Sequence, residues 1–402
     1  MTRPFRMLHT ADWHIGKTLF GQPLLDDQRH VLDQLIGHVR TVKPDVVVIA
    51  GDIYDRSVPP ADAVELLDAT LTALVGGLAT PVVLIAGNHD GPERLGFGAH
   101  LLQRAGLTVR GPVDLQAAPI RFDSAGFPVA LCPLPYAEPA TVRTLLGDGE
   151  RGAVPDHQAA LQAQIRSAQA QLRPGEVAVA VAHAFVQGGR VVDHSEQEYS
   201  ETERQLAVGG TAVVDPSVFA GFAYVALGHL HQPQKVAAAR PGLPSVRYSG
   251  SLLQYSFAEA DQARSATLVE LAPDGTTQTT ELPLRPRRPL RTVRGTLAQL
   301  VAQGQNDPNR HDFIAATLTD PGMLLDPLGR LREGYPNVLH IERPQLQGGD
   351  GALLQGDHRQ RQPIDIVHDF WQSVCGEALP EPARGVLVPL LAQLSRRDGG
   401  AA

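Results

Sequence analysis

The chain has 402 residues, 43% of them hydrophobic, and a formal net charge of −8 at pH 7. That length excludes one small core and accommodates two or three domains, while the negative charge argues against binding nucleic acid through bulk positive charge alone. The two cysteines, Cys132 and Cys375, form neither a metal-type pair nor a disulfide framework, and no run approaches the ~18 apolar residues of a membrane span, so reduced thiols and a cytoplasmic location are expected.

Phe5 to Thr10 reads as a short apolar strand, followed by Asp12 and His14. Residues i and i+2 of an extended segment point the same way, so the pair can offer an oxygen and a nitrogen to one cation. Alone, such a pair is common by chance. Asp26 to Val42 places Val31, Leu32, Leu35, Ile36 and Val39 on one helical stripe, with His30 and His38 read as surface residues. From Val46 to Ala50 five apolar residues run without interruption, the pattern of a strand covered on both faces of a parallel sheet. Gly51 turns the chain, and Asp52 falls at the carboxyl end of the strand, where open α/β sheets hold their ligands. A helix from Ala61 to Leu78, with Val64, Leu67, Leu71, Leu74 and Leu78 on one side, leads to a strand at Pro81 to Ala86. That strand ends in Gly87 and then Asn88-His89-Asp90. Strand, helix, strand, helix, strand is the pattern of a parallel sheet with right-handed crossovers.

Two later strands end the same way. Asp156 to Leu172 reads as a helix, and Val177 to Ala182 as a strand running into His183. Phe222 to Leu227 is followed by Gly228-His229-Leu230-His231, again with imidazoles at i and i+2. Accident is a poor account of five such clusters. Asp12, His14, Asp52, Asn88, His183, His229 and His231 amount to two carboxylates, one amide and four imidazoles. That is too many donors for one ion and suits two ions sharing a carboxylate. Oxygen and nitrogen donors without thiolate favour manganese, iron or zinc. His89 adjoins Asn88 but is not needed for the count. It is the candidate to protonate a leaving oxygen or to hold transition-state charge, with Asp90 orienting it. The alternative is that His89 only packs beside the site.

Tyr248-Ser249-Gly250-Ser251 either makes a turn or lines the site with hydroxyls and backbone. A strand at Ser265 to Leu271 should finish this domain, and Pro273-Asp274-Gly275 makes a turn. Leu284 to Arg294 holds five arginines and no acid, and reads equally as a proline-stiffened linker or as a track for DNA phosphates. A small α/β domain follows: a helix around Leu297, Leu300 and Val301, a strand at Asp312 to Leu318, a helix at Pro327 to Glu333 and a strand at Asn337 to Glu342. Gln345 to Gln362 reads as a flexible linker. Ile364, Ile366, Val367, Phe370, Trp371 and Val374, then Val386, Leu387, Leu390, Leu391 and Leu394, make two apolar helix faces. These faces either seat in a partner's groove or fold back on the core.

The blocks Asp12-Trp13-His14, Gly51-Asp52-Ile53-Tyr54-Asp55-Arg56, Gly87-Asn88-His89-Asp90, His183 and Gly228-His229-Leu230-His231 together resemble the calcineurin-like metallophosphoesterase superfamily. Asp55 to Pro60, Tyr248 to Ser251, Gln254-Tyr255-Ser256-Phe257 and the insert from Gly188-Gly189 to Gly209-Gly210 are similar to the SbcD nuclease family, most strongly over residues 1–270. The resemblance implies an α/β fold, a sandwich of two sheets flanked by helices. It implies a nuclease domain over residues 1–283, a DNA-capping domain over 284–344, a linker over 345–362, and helices over 363–397 docking on the coiled coil of an SbcC-type ATPase. Two divalent metal ions, manganese by this likeness, would be held by Asp12, His14, Asp52 and His231 on one side and by Asp52, Asn88, His183 and His229 on the other. His89 would be the catalytic histidine. Arg56, Tyr248, Ser251, Arg287 and Arg288 would face DNA, and Phe370, Trp371 and Val374 the ATPase. The implied assembly is a homodimer within a heterotetramer. It would act as a 3′–5′ exonuclease on duplex ends and an endonuclease on single-stranded or hairpin DNA, in repair and recombination. The stretch Val191 to Gln197 departs from the family's shorter form, and His194 stays a loop residue. The rival readings are a small-molecule phosphodiesterase or phosphatase of the same superfamily, and a DNA-tethering subunit that uses metals only to fold.

Overall fold

Two facing sheets build the first of two units, Met1–Pro289 and Leu290–Ala402, in a computed structural model of the chain. The structure describes residues 2–147, 154–190, 213–236, 243–322, 324–344, 362–375 and 378–398. The main elements of the first unit are β1 (Phe5–Thr10), α1 (Leu25–Val42), β2 (Val46–Ala50), α2 (Ala61–Leu71), β3 (Val82–Ile85), β4 (Leu107–Arg110), β5 (Ile120–Phe122), β6 (Val129–Leu134), α3 (His157–Ala170), β7 (Val177–His183), β8 (Tyr224–Gly228), β9 (Gln234–Lys235), β10 (Ser245–Tyr248), β11 (Arg264–Leu271) and β12 (Thr277–Leu284). One sheet has the order β12-β11-β1-β2-β3-β4, the other β9-β10-β8-β7-β6-β5. β1 to β4 run parallel, as the alternation of strands and helices predicts, and β11 and β12 close that sheet antiparallel.

The strand period explains the sandwich. Met7, Val46, Val48, Ala50, Val83 and Ile85 from one sheet meet Val129, Leu131, Val179, Val181, Tyr224 and Ala226 from the other in one buried cluster. The alternate residues Val47 and Ile49 are also buried, so β2 is covered on both faces. That is why its sequence carries no polar alternation.

Three expectations change here. The helix from Ala61 does not run regularly to Leu78: α2 ends at Leu71 and a wider i→i+5 turn spans Thr72–Gly77. Its buried face is Ala63, Leu66, Leu67 and Thr70, so Leu67 of the expected stripe is buried while Val64 is exposed. The first unit also does not finish with the strand ending at Leu271, since β12 adds an antiparallel edge along all of β11.

In the second unit β13 (Leu290–Gly295), α4 (Leu297–Asn306), β14 (Phe313–Leu318), α5 (Pro327–Gly334) and β15 (Val338–Glu342) make a three-stranded parallel sheet in the order β13-β14-β15. Thr296 and Gln299 close a capping box at the start of α4. Leu297, Leu300, Ile314, Leu318, Leu331, Tyr335 and Val338 form its core. Two helices follow, α6 (Pro363–Cys375) and α7 (Glu381–Asp398). The stretch from Leu284 to Arg294 is therefore no free linker: its second half is β13. Nor are its arginines an unpaired track. Arg288 is ion-paired with Asp27, Arg287 lies 3.9 Å from Asp26, and Arg291 contacts Asp307 at 2.8 Å and Asp312 at 2.7 Å. The stretch contains no acid of its own, but folding supplies acids from elsewhere. Residues 191–210 of the insert, with His194, and residues 345–361 of the expected linker lie outside the described residues, as do the side chains of Phe370 and Val374. Among the described residues no helix is long and apolar enough to cross a membrane.

Candidate metal centre

The carboxyl ends of β1, β2 and β3 in one sheet face those of β7 and β8 in the other, and these strand ends with the loops leaving them carry all seven predicted donors. Asp12, His14 and Asp52 hold left-handed backbone, with φ of 52°, 44° and 50°, and His229 has φ of 106°. Non-glycine residues keep such conformations only where their surroundings over-determine them. Here Asp12 N donates to Gly51 O and His14 N to Asp52 O, both at 3.0 Å. His229 N donates to Asp12 Oδ1 at 2.9 Å, tying the two sheets together. From α1, the Gln28 amide donates to His14 O at 2.7 Å and its oxygen accepts Gly16 N at 3.0 Å.

The donors converge. Asp52 Oδ2 lies 3.6 Å from His14 Nε2 and 3.3 Å from His183 Nε2. His14 Nε2 is 3.2 Å from His231 Nε2, while Asn88 Oδ1 is 2.9 Å from His183 Nε2 and 3.1 Å from His229 Nδ1. Neighbouring ligands on an ion with bonds of ~2.1 Å stand about 3 Å apart, so these separations fit metal coordination. The tautomers fit as well. His183 Nδ1–H donates to Ala50 O at 2.9 Å, and His231 Nδ1–H donates to Glu259 Oε1 at 3.1 Å. In the neutral rings the Nε2 lone pairs then face carboxylate and amide oxygens, or another ring nitrogen, and only a cation makes that arrangement favourable.

Electrostatics point the same way. Burial alone would lift the Asp52 carboxyl, but His183, His89 and His14 hold it well below the usual range. Burial would depress His183, yet Asp52 and Asp12 raise it to about 9. A proton on His183 thus fills the role of a cation among the carboxylates, and a metal would displace it. Asp12, His14 and Asp52 form one close cluster of potential ligands, and His14, Asp55 and His89 another.

His89 is nearly buried, and its ring lies 4.7 Å from that of His14, edge-on. Its Nδ1–H donates to Asp55 O at 2.9 Å, leaving Nε2 as the atom able to give or take a proton. Asp90 does not orient this ring. Its carboxylate accepts from Ile53 N at 3.1 Å and from Tyr54 N and Gly87 N at 2.9 Å, pinning the β2 and β3 loops to each other. The neighbour in sequence thus fixes backbone, and the orienting group is a carbonyl 34 residues away. Tyr248 and Ser251 are also reassigned. Both are fully buried, with Tyr248 accepting from Val186 N and donating to Ala184 O, and Ser251 donating to Leu253 O. Their hydroxyls brace the chain and offer nothing to a phosphate. Arg56 is exposed beside the centre.

Sequence reasoning missed Asp55, Gln28, Tyr255, Glu259 and Arg264. Gln28 and Glu259 are fully buried polar residues, and Tyr255 donates to Trp13 O behind the first metal-binding loop. Asp55 and Tyr255 lie within the family motifs, which flag the stretch but not the role. A role exercised through a backbone carbonyl has no residue-type signature.

A Cβ on Gly87 would fall 2.1 Å from Asp52 Oδ1 and 2.3 Å from Asp52 N. Gly87→Ala must therefore push Asp52 aside, and a displacement of that kind costs on the order of 100-fold in rate. Phosphodiesterase activity within twofold of wild type would show that this close approach does not position Asp52.

Residues 5–233 match the calcineurin-like phosphoesterase family, and residues 286–374 match the type 5 capsule protein repressor C-terminal domain. Fold and site thus define a metallophosphoesterase: the chain belongs to the calcineurin-like phosphoesterase family and has the donors for the divalent metals that family uses. The SbcD subunit of the SbcCD nuclease of Staphylococcus epidermidis (strain ATCC 12228 / FDA PCI 1200) is 29% identical over 394 residues, covering 98% of this chain and 100% of the relative. Both domain matches and this full-length likeness make the chain a member of the SbcD family. Among solved structures, protein TT1561 of Thermus thermophilus is 11% identical over 70% of this chain and 99% of its own, with a TM-score of 0.36. A dimetal phosphatase from Danio rerio is 12% identical over 70% and 96%, with a TM-score of 0.38.

Proposed function

We propose that the chain is the nuclease subunit of an SbcCD-type complex, hydrolysing DNA phosphodiesters at a two-manganese centre. The observation that carries this reading is Asp52 Oδ2, one carboxylate oxygen shared between the His14 and His183 sides of seven converging donors. Asp12, His14, Asp52 and His231 would hold one ion, and Asp52, Asn88, His183 and His229 the other. Bound there, the ions supply Lewis acidity toward the phosphodiester and lower the pKa of water. His89, with Nδ1 fixed by Asp55 O, delivers a proton from Nε2 to the departing sugar oxygen. Arg56 is an exposed cation able to meet backbone phosphates. The Leu290–Glu342 sheet with its helices is the DNA-contacting accessory domain of this reading.

Surfaces without cover support the assembly. Phe97 is 86% exposed, Leu101 74% and Val58 63%, and Arg94, in the short helix Pro92–Leu95, donates to Ser57 O beside Val58. This patch suits a second copy of the chain. On α7, Val386 and Leu390 are exposed, and with Trp371 on α6 they offer an apolar face to the coiled coil of an SbcC-type ATPase.

The test offers linear duplex, hairpin DNA and a small phosphodiester to the chain, with and without the ATPase, in manganese and after chelation. Manganese-dependent degradation of duplex from its 3′ ends and opening of hairpins are expected with the ATPase present. Cleavage of the small ester alone would leave a small-molecule phosphodiesterase.

A further inference from the structure

The four imidazoles of the centre are not backed alike. His183 rests on the neutral carbonyl of Ala50. His231 rests on a carboxylate, Glu259, and that carboxylate belongs to a buried ion pair. Glu259 and Arg264 bond to each other, and both side chains are wholly excluded from solvent. Glu259 Oε1 accepts the His231 ring proton at 3.1 Å, while Arg264 Nη1 donates to the His231 carbonyl. The pair therefore grips one residue by its ring and by its backbone. Glu259 Oε2 also accepts Tyr255 N at 2.9 Å, and the Tyr255 hydroxyl reaches Trp13 O, between Asp12 and His14. Beside it, Gln28 holds the carbonyls of Trp13 and His14.

A buried ion pair is a weak device for stability, because desolvation offsets most of the attraction and apolar residues of similar volume often serve as well. A carboxylate behind a ligating imidazole does something apolar packing cannot: it fixes the tautomer and raises the basicity of the opposite nitrogen. We infer that Glu259 and Arg264 are positioning residues for His231, and that they make the cation position of Asp12, His14, Asp52 and His231 the tighter of the two. This rests on the two-metal reading. The position of Asn88, His183 and His229 is then the one that fills and empties at low metal concentration.

Manganese titration of the full-length apoprotein, by calorimetry and by the paramagnetic resonance of free and bound ion, tests this. Wild type is expected to show two classes of site. Glu259→Gln should weaken the tighter class by about 10–100-fold and leave the weaker one in place. That variant strands the Arg264 charge, so Glu259→Gln/Arg264→Met is made beside it. The double variant should regain apoprotein melting temperature but not metal affinity. Should neither variant fold, Glu259→Asp keeps the charge, draws the carboxylate back from Nδ1, and is read the same way. Wild-type affinity in the folded variants, or an equal fall at both positions, overturns the inference while the two-metal reading stands. A wild-type chain binding fewer than two ions overturns that reading and the inference together.

Discussion

Asp52→Asn is expected to remove phosphodiesterase activity by about 10³-fold or more and to reduce binding at both cation positions at once. Asparagine keeps the shape, and its oxygen can still accept the His89 backbone N–H that Asp52 Oδ1 accepts at 2.9 Å. What changes is the other atom. An NH₂ group replaces the oxygen lying 3.6 Å from His14 Nε2 and 3.3 Å from His183 Nε2, so a donor replaces the shared acceptor. On the proposed two-metal reading Asp12 and His183 each serve one side, and their replacement should weaken mainly one ion. Calorimetric manganese titration separates the cases. If Asp52→Asn lost one ion and kept the other at wild-type affinity, Asp52 would not be the bridge.

His89→Asn gives the opposite pattern: two ions still bound, and a rate lower by about 10²–10⁴-fold, the range for a general acid or base. The ring stands beside His14, and no coordination position in the two sets depends on it. Its backbone N–H, which fixes Asp52, survives the substitution. A variant that cleaves DNA normally in the assembled complex returns His89 to packing and favours the tethering scaffold. A variant that loses metal makes His89 a ligand alongside His14 and Asp55, a grouping the side chains also permit.

The donor set was legible because each donor follows an apolar strand at a position where geometry is local. A one-residue gap in Asp12-Trp13-His14 and His229-Leu230-His231 encodes a shared direction. What encloses the donors was not legible. Arg288 meets Asp27 across 261 residues, and no window over the arginines reveals that acid. His89 was found and its orienting group was not, since Asp55 acts through its carbonyl. β6 carries Pro133, which argues against a strand from sequence. In the fold β5 pairs with β6 only from Val129 to Leu131, so the proline lies beyond the partner it would disrupt. The contact face of α2 is turned from its expected aliphatic stripe: it keeps Leu67, adds Ala63, Leu66 and Thr70, and leaves Val64 exposed.

The two sheets divide the donors unequally in time as well as in space. Asp12, His14, Asp52 and Asn88 are synthesised first. His229 comes 217 residues after Asp12, and the strand that begins at Arg264 must still pair with the first strand. A nascent or truncated chain therefore carries half a centre, with carboxylates and an amide but without the imidazoles of the second sheet. On the two-metal reading, phosphodiester hydrolysis therefore waits on completion of the whole sandwich.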